Sequence, residues 1–384
     1  MTKPFCYAPF IHMYIHNKKS RRICCVSTEI DNTSFSTDDL EERWRSEYYQ
    51  KFRNDFLEGK TSSVCQRCID KESAGQYSDR KMFDELYSQH NLELNIETGN
   101  TLGSPIDLDI RESNLCNLKC RMCSPESSSQ IEKELILNRD TLDGVFNEPS
   151  EKKNLLDNDE NFEFLMNNIH NVTRLKLLGG EPTIMPEVHR MLDVLIERNA
   201  TTIPIFITTN VTNSNSTFID KISKFSNINF TMSLDGISDV VEYIRYPLNW
   251  NSFQRNIKVY KDLANSCSLV FTLQAYNLFH IKEFLYWAKE NDITPRLEIL
   301  TSPEWASYRS IPKYIRDEYL QNLTNDPIIN TDIIPVIQRC LDDGIEYNMS
   351  SFVDMTRRFD KIREHHIKDY IPQVWDIIKN EYEN

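Results

Sequence analysis

From residue 106 onward, the hydrophobic positions of the chain switch repeatedly between two periods. Alternation of apolar and polar residues marks strands at 106–110, 172–178, 203–210, 228–236, 268–277 and 295–302. Between them, apolar residues recur at helical spacing over 127–140, 160–171, 185–199, 217–225, 253–266 and 281–291. Strands separated by helices call for parallel pairing with right-handed crossovers. The pattern therefore predicts an α/β fold of six strand–helix units, fewer than the eight of a closed barrel. Ahead of this region, 44–60 reads as one amphipathic helix ended near Gly59, and a polar helix over 79–90 leads into an Asn-, Gly- and Ser-containing linker closed by Pro105. After Ser302 the strand signal stops and the pattern becomes helical. The expected domains are 1–100, 101–305 and 306–384.

Composition changes this picture in one respect. A 384-residue chain that is 40% hydrophobic and 27% charged has the make-up of a globular protein, and its net charge of −14 argues against general nucleic-acid binding. No apolar run is long enough to span a bilayer, and the amino-terminal apolar stretch is interrupted by His12 and His16, unlike a secretory segment. A cytoplasmic protein without membrane association is the expectation. In that compartment the ten cysteines stay reduced and are available to metals. Eight of the ten fall between Cys6 and Cys123, so metal chemistry is concentrated early in the chain, and Cys267 and Cys340 read as inert thiols.

Two cysteine groups stand out. Cys116, Cys120 and Cys123 lie on a short loop directly after the 106–110 strand, spaced Cys-x3-Cys-x2-Cys. Three thiolates so placed can cap three corners of an iron–sulfur cube and leave the fourth iron open to a ligand, whereas electron-transfer clusters and structural zinc sites close at four protein ligands. A zinc site completed from elsewhere is the alternative. The second group, Cys6, the adjacent Cys24 and Cys25, and the Cys-x2-Cys of Cys65 and Cys68, can supply a complete tetrathiolate set. Either zinc or an iron–sulfur cluster suits it, with Cys25 favoured over Cys24 as the ligand and a short hairpin expected between Cys6 and that pair.

A turn at Gly179-Gly180-Glu181-Pro182 closes the next strand. Its glycines allow close backbone approach to a ligand, and its carboxylate suits an ammonium group. With the cysteine triplet, this turn resembles the signature of the radical S-adenosylmethionine (radical SAM) enzymes. The resemblance implies a partial (β/α)6, TIM-like barrel and a catalytic [4Fe-4S] cluster on Cys116, Cys120 and Cys123. It also implies S-adenosyl-L-methionine chelated by the open iron, reductive cleavage to a 5′-deoxyadenosyl radical, and hydrogen abstraction from a substrate. Met122 stands where the family often has an aromatic residue near adenine. Gly179, Gly180, Glu181 and Pro182 match the turn that holds the methionyl amino group; Ser233 and Asp235 resemble the ribose-binding positions, and Arg245 the carboxylate-binding arginine.

Thr208 and Asn210, with Gln274 and Asn277, join these as polar residues at strand ends, where ligands gather in such folds. The amino-terminal cysteine segment resembles the twitch or SPASM-type auxiliary domain, which implies that Cys6, Cys25, Cys65 and Cys68 hold a second [4Fe-4S] cluster. It would precede the barrel instead of following it. A helical extension completes the chain, with Arg357, Arg358, Lys361, His365 and His366 reading as a solvated face. His90 reads as a solvated residue at a helix end. The family further implies a reductant such as flavodoxin or ferredoxin and a substrate that is a peptide or protein. Alternatives are a small carbohydrate or metabolite as substrate, or a non-catalytic metal-stabilised scaffold.

Overall fold

The computed structural model describes residues 5–16, 22–28, 38–73, 77–89, 94–95, 100–101, 103–142, 144, 154–329 and 332–383; His90 lies outside them. Seven strands, β1 His12–His16, β2 Asp107–Arg111, β3 Arg174–Leu177, β4 Ile205–Thr209, β5 Ile228–Ser233, β6 Ser266–Leu273 and β7 Thr294–Ile299, form one sheet in chain order. Pairing is parallel from β1 to β4 and from β5 to β7. The six strands read from the sequence are all present, and the carboxyl-terminal region is helical. The fold is the α/β arrangement of parallel strands and helices expected from the pattern, with one strand more.

That extra strand comes from the cysteine-rich amino-terminal segment. Where a hairpin was expected after Cys6, the described residues form a helical turn, Ala8–Ile11, followed by β1, which pairs with β2 from His12 opposite Asp107 to His16 opposite Arg111. Four of the five β1 residues are buried, so the strand shows no alternation to read. His12 is only 1% exposed because its Nδ1 lies 2.8 Å from the Asp107 carboxylate, which makes a nominally polar position compatible with the core.

By contact the chain divides into two compact units. The first comprises Met1–Asn114, Ser150–Ile207 and Thr217–Ile228; the second comprises Leu115–Pro149, Thr208–Ser216 and Asn229–Asn384. In the first unit, Ile15, Leu108, Leu175, Leu177, Ile205 and Ile207 are buried on one sheet face, and Met191, Leu192 and Leu195 of helix Pro186–Glu197 are buried as well. The expected 44–60 helix is broken in two, Leu40–Arg45 and Glu47–Leu57. Ser46 causes the break: it takes an extended conformation, and its hydroxyl accepts the Tyr49 N–H, starting a new helix.

In the second unit, β5, β6 and β7 bury Phe230, Met232, Leu269, Phe271 and Leu273. Side-chain caps start several helices throughout the chain: Ser128, Asn158, Asn249 and Asn348 each accept backbone N–H groups. Helix Ser238–Ile244, absent from the sequence reading, is seven residues long and has no side-chain cap. The terminal region holds Lys313–Thr324, Ile334–Asp342, Met349–Arg363 and Pro372–Tyr382. No helix among the described residues is long and apolar enough to cross a membrane.

Two buried carboxylates near the end of β2 respond to pH in opposite senses. Burial works to raise Asp109, but Arg111 at 2.7 Å and Lys176 at 3.1 Å overcome it and hold the group below the usual carboxylate range. Glu112 has only backbone donors against neighbouring acids, and burial pushes it up to about 8. The Asp109 contribution to stability is present above its unfolded value near 4 and is lost as pH falls further. The Glu112 contribution is present below about pH 4 and is lost as pH rises towards 8. Urea unfolding of Asp109→Asn should therefore show a loss of about 2 kcal/mol at pH 7 that shrinks below pH 4. Glu112→Gln should be the more stable protein relative to wild type at pH 9 than at pH 5. Equal effects at both pH values for either variant would contradict these assignments.

Candidate functional site

The loop carrying Cys116, Cys120 and Cys123 begins the second unit and is held by its neighbours along most of its length. The Cys116 N–H donates to Ser129 Oγ at 3.2 Å, and the Ser128 hydroxyl donates to the Leu118 carbonyl at 2.6 Å, so the helix N-cap that follows also fixes the loop. Lys119 and Arg121 donate their backbone N–H groups to the carbonyls of Tyr246 and Ile244, at 2.6 and 2.8 Å. The Asn117 side chain bonds Thr212 at 2.7 Å and accepts from Asn210 Nδ2 at 3.0 Å. Asn210 Nδ2 also stands 4.0 Å from Cys116 Sγ. Val211, beside it, is a buried β-branched residue with φ of 59°, a conformation rare outside glycine and asparagine and a mark of a constrained strand end.

Cys116 and Cys120 are buried and Cys123 is half-buried; none of the three is in a disulfide. Among the described residues, no three Cys, His, Asp or Glu side chains converge closely enough to hold a single metal ion. The Cys123 thiol hydrogen-bonds Cys120, which lowers the Cys120 pKa and raises that of Cys123 well above the usual thiol range. Arg245 favours the same thiolate: its Nη1 is 3.9 Å from Cys120 Sγ.

Arg245 is itself almost fully buried. Its Nη2 pairs with Asp235 at 2.8 Å, while its Nε has no hydrogen-bond partner among the described residues. Asp235, expected to face ribose, is fully buried and committed to Arg245 and to the Thr272 N–H at 2.7 Å. Burial raises its pKa and Arg245 opposes that rise. Gln274 and Asn277 lock the end of β6: Asn277 Oδ1 accepts the Gln274 N–H at 2.8 Å, and its Nδ2 donates to the carbonyls of Asp235 and Thr272. Gln274 Oε1 is buried without a hydrogen-bond partner among the described residues. Thr208, Ser233 and Met122 are half-buried. Three thiols beside an unpaired guanidinium N–H and an unpaired amide oxygen fit a metal–sulfur group with a ligand that carries both a carboxylate and hydrogen-bond donors better than a packed core.

In the first unit, the Gly179–Pro182 turn is tied to the end of β2. Gly180 N–H donates to the Ser113 carbonyl at 2.9 Å. Gly179 has φ of 123°, and a Cβ there would come within 2.7 Å of that same carbonyl, so only glycine fits without displacement. Glu181 is fully buried, and its carboxylate accepts from the Thr183 hydroxyl at 2.6 Å and the Thr183 N–H at 3.3 Å.

The amino-terminal cysteines come together around a cavity of about 400 Å³ that also lies in the first unit. Cys6, Cys24, Cys65 and Cys68 line it, with Phe56, Phe83, Ile69 and the Glu72–Arg80 ion pair. Cys25, the residue expected there, does not line it. The Cys25 thiol is raised by burial and then by Asp109, with Lys176 and Arg111 acting against that rise, which ties it electrically to the charged group on β2. Burial raises the four cavity thiols, Cys65 to about 12, so each keeps its proton until a metal displaces it.

The sequence gives no sign of several residues at the three-cysteine loop. Arg121 is fully buried, lies 3.6 Å over the Tyr243 ring and pairs with Asp360 at 2.6 Å. Glu134 accepts from both Arg363, at 2.7 Å, and Lys119, at 3.3 Å. Opposite charge at fixed spacing across more than 200 residues leaves no local pattern.

Residues 112–288 match the family model described as the Radical SAM superfamily. Comparison with curated proteins gives no match. Among solved structures the chain is similar to native anSMEcpe with bound AdoMet, at 18% identity and a TM-score of 0.43, over 58% of this chain and 60% of that one. It is similar also to Streptococcus suis SuiB bound to the precursor peptide SuiA, at 17% identity and a TM-score of 0.39, over 89% of this chain and 74% of that one. A third similarity is to TYW1 with a lysine-pyruvate adduct bound, at 16% identity and a TM-score of 0.31, over 61% of this chain and 71% of that one. The chain thus spans 60% of the length of anSMEcpe. Residues 112–288, which match that model, contain the cysteine triplet, the Gly-Gly-Glu-Pro turn and four of the strands after β2, and over this stretch the chain is similar to the Radical SAM superfamily.

Proposed function

We propose that this protein is a radical SAM enzyme acting on a peptide or protein, with a catalytic [4Fe-4S] cluster on Cys116, Cys120 and Cys123 and a second cluster on Cys6, Cys24, Cys65 and Cys68. When bound, the reduced catalytic cluster supplies the electron that splits the carbon–sulfur bond of S-adenosyl-L-methionine, releasing a 5′-deoxyadenosyl radical that takes hydrogen from a substrate carbon. The chain itself holds and orients. Cys120 is the thiol readiest to ionise, since Cys123 donates to it and Arg245 stands beside it. The unpaired Nε of Arg245 is a donor for the methionyl carboxylate. Asp235 keeps that guanidinium in orientation, and Asn210 steadies the loop through Asn117. Gly179 to Pro182 present backbone and carboxylate groups of the kind that receive an ammonium. A flavodoxin or ferredoxin is the reductant class that suits such a site.

The observation that carries this reading is a buried cysteine sulfur, Cys120, with a buried guanidinium 3.9 Å away that retains an unused N–H. Support for the second cluster is the gathering of four thiols about one cavity, with Cys24 in place of Cys25. Peptide is put first among substrate classes because the cysteine-rich amino-terminal segment resembles the auxiliary domains of peptide-modifying relatives.

Anaerobic reconstitution should give about eight irons per chain, with charge-transfer absorption, and dithionite with S-adenosyl-L-methionine should yield 5′-deoxyadenosine. Cys120→Ala should abolish that product. Bound zinc and no 5′-deoxyadenosine from the wild-type protein would remove the enzymatic reading. For the cavity, Cys24→Ala should cost about four irons while Cys25→Ala keeps all of them; iron loss on the Cys25 substitution, with none on the Cys24 one, would reverse the assignment.

A further inference from the structure

Cys120, the middle cysteine of the triplet, is flanked by two cations, and each is tied to the same carboxyl-terminal helix, Met349–Arg363. On one side, Arg121 donates Nη2 to Asp360 Oδ1 at 2.6 Å and Nε to the Tyr243 carbonyl at 3.0 Å. Asp360 is itself over-determined: it accepts from the Tyr243 hydroxyl at 2.7 Å, the Tyr382 hydroxyl at 2.9 Å and the Ile367 N–H at 3.0 Å. On the other side, Lys119 Nζ and Arg363 share Glu134, whose two oxygens accept from Arg363 Nε at 3.2 Å and Nη2 at 2.7 Å. Arg363 also lies over the rings of Phe359 and Tyr246, at 4.5 and 5.5 Å, and the Tyr246 carbonyl accepts the Lys119 N–H.

Two cations of this group keep an unused donor. Nη1 of Arg363 and Nη1 of Arg121 are buried and have no hydrogen-bond partner among the described residues. A buried guanidinium N–H left unpaired costs about 1–3 kcal/mol. Glu134 neutralises one unit of charge, yet both Lys119 and Arg363 lean on it, so the group around Cys120 keeps an excess of positive charge. An iron–sulfur cluster on three thiolates is an anion, and it becomes more negative when reduced. Fixed positive charge close to such an anion favours the reduced form, and the Arg363 guanidinium and Cys120 interact electrostatically.

We propose that the carboxyl-terminal helix is part of the cluster site: Asp360 and Arg363 are positioning residues for Cys120, and the Arg363 guanidinium supplies fixed positive charge that favours the reduced cluster. This rests on the reading of the three-cysteine loop as a cluster site. It goes beyond that reading by giving a redox-tuning role to a segment outside the strands of the barrel. The distance along the chain is large, 229 residues between Glu134 and Arg363 and 239 between Arg121 and Asp360, so the helix reaches the loop only in the folded protein.

The test is the midpoint potential of the catalytic cluster, followed by electron paramagnetic resonance in full-length protein without S-adenosyl-L-methionine. Cys24→Ala serves as the background, to leave one cluster in view. Arg363→Met should favour oxidation by about tenfold, a shift of about 59 mV to lower potential for a one-electron couple. Arg363→Lys, which keeps the charge, should stay near the parent value, and Glu134→Gln, which removes the counter-charge, should move the potential upward. A role in packing alone would reduce thermal stability in all three variants without this ordering. Equal potentials across the series, or Arg363→Lys falling with Arg363→Met, would overturn the proposal. If Arg363→Met holds no iron, the Glu134→Gln shift decides: upward supports it, unchanged or downward overturns it. A parent protein that binds no cluster overturns the reading of the loop itself, and the proposal with it.

Discussion

A thiol serves as a metal ligand only after it gives up a proton, and burial resists that loss unless positive charge stands close by. This constraint organises the second unit. Cys120 is almost inaccessible, yet the Cys123 thiol and the Arg245 guanidinium shift its equilibrium towards thiolate. Arg245 in turn can be buried because Asp235 pairs with it, and Asp235 is held by the end of β6 through Thr272. Removing any member leaves a buried charge without its partner, which is far costlier than losing a surface ion pair. The strand ends are therefore more than a platform. Their polar residues form a chain of mutual dependence that ends at a sulfur atom.

The cavity of the first unit obeys the opposite rule. Its four thiols are raised by burial, Cys6, Cys24 and Cys65 also by neighbouring cysteines, and the nearby Glu72 is paired with Arg80. A metal bound there, as proposed, would enter with release of protons. Two cysteine sets in one chain thus differ in electrostatics as well as in number. On the proposed reading, the triplet would hold a cluster with a vacant coordination place and the tetrad a closed one.

Much of this is legible in the sequence, because the decisive motifs are local. Cys116, Cys120, Cys123 and the Gly179–Pro182 turn are contiguous in sequence, and the strand–helix alternation after residue 106 gave the six strands β2 to β7. What escaped notice had no local signature. β1 is buried on both faces and so lacks a period, and His12 sits in it because of a carboxylate 95 residues away. Cys24 and Cys25 are adjacent, and adjacent side chains point apart, so spacing could not choose between them. The charges around Cys120 come from Glu134, Asp360 and Arg363, which the fold alone brings to the loop.

The central claim is that the iron at the open corner of the cluster on Cys116, Cys120 and Cys123 is left for a ligand from outside the chain. Electron–nuclear double resonance on the reduced protein, with S-adenosyl-L-methionine carrying nitrogen-15 in its amino group, tests it directly. The account predicts a nitrogen coupling that appears with the labelled cofactor and vanishes in Cys120→Ala. A cluster whose spectrum is indifferent to the cofactor, with every iron bound by the protein, would contradict it.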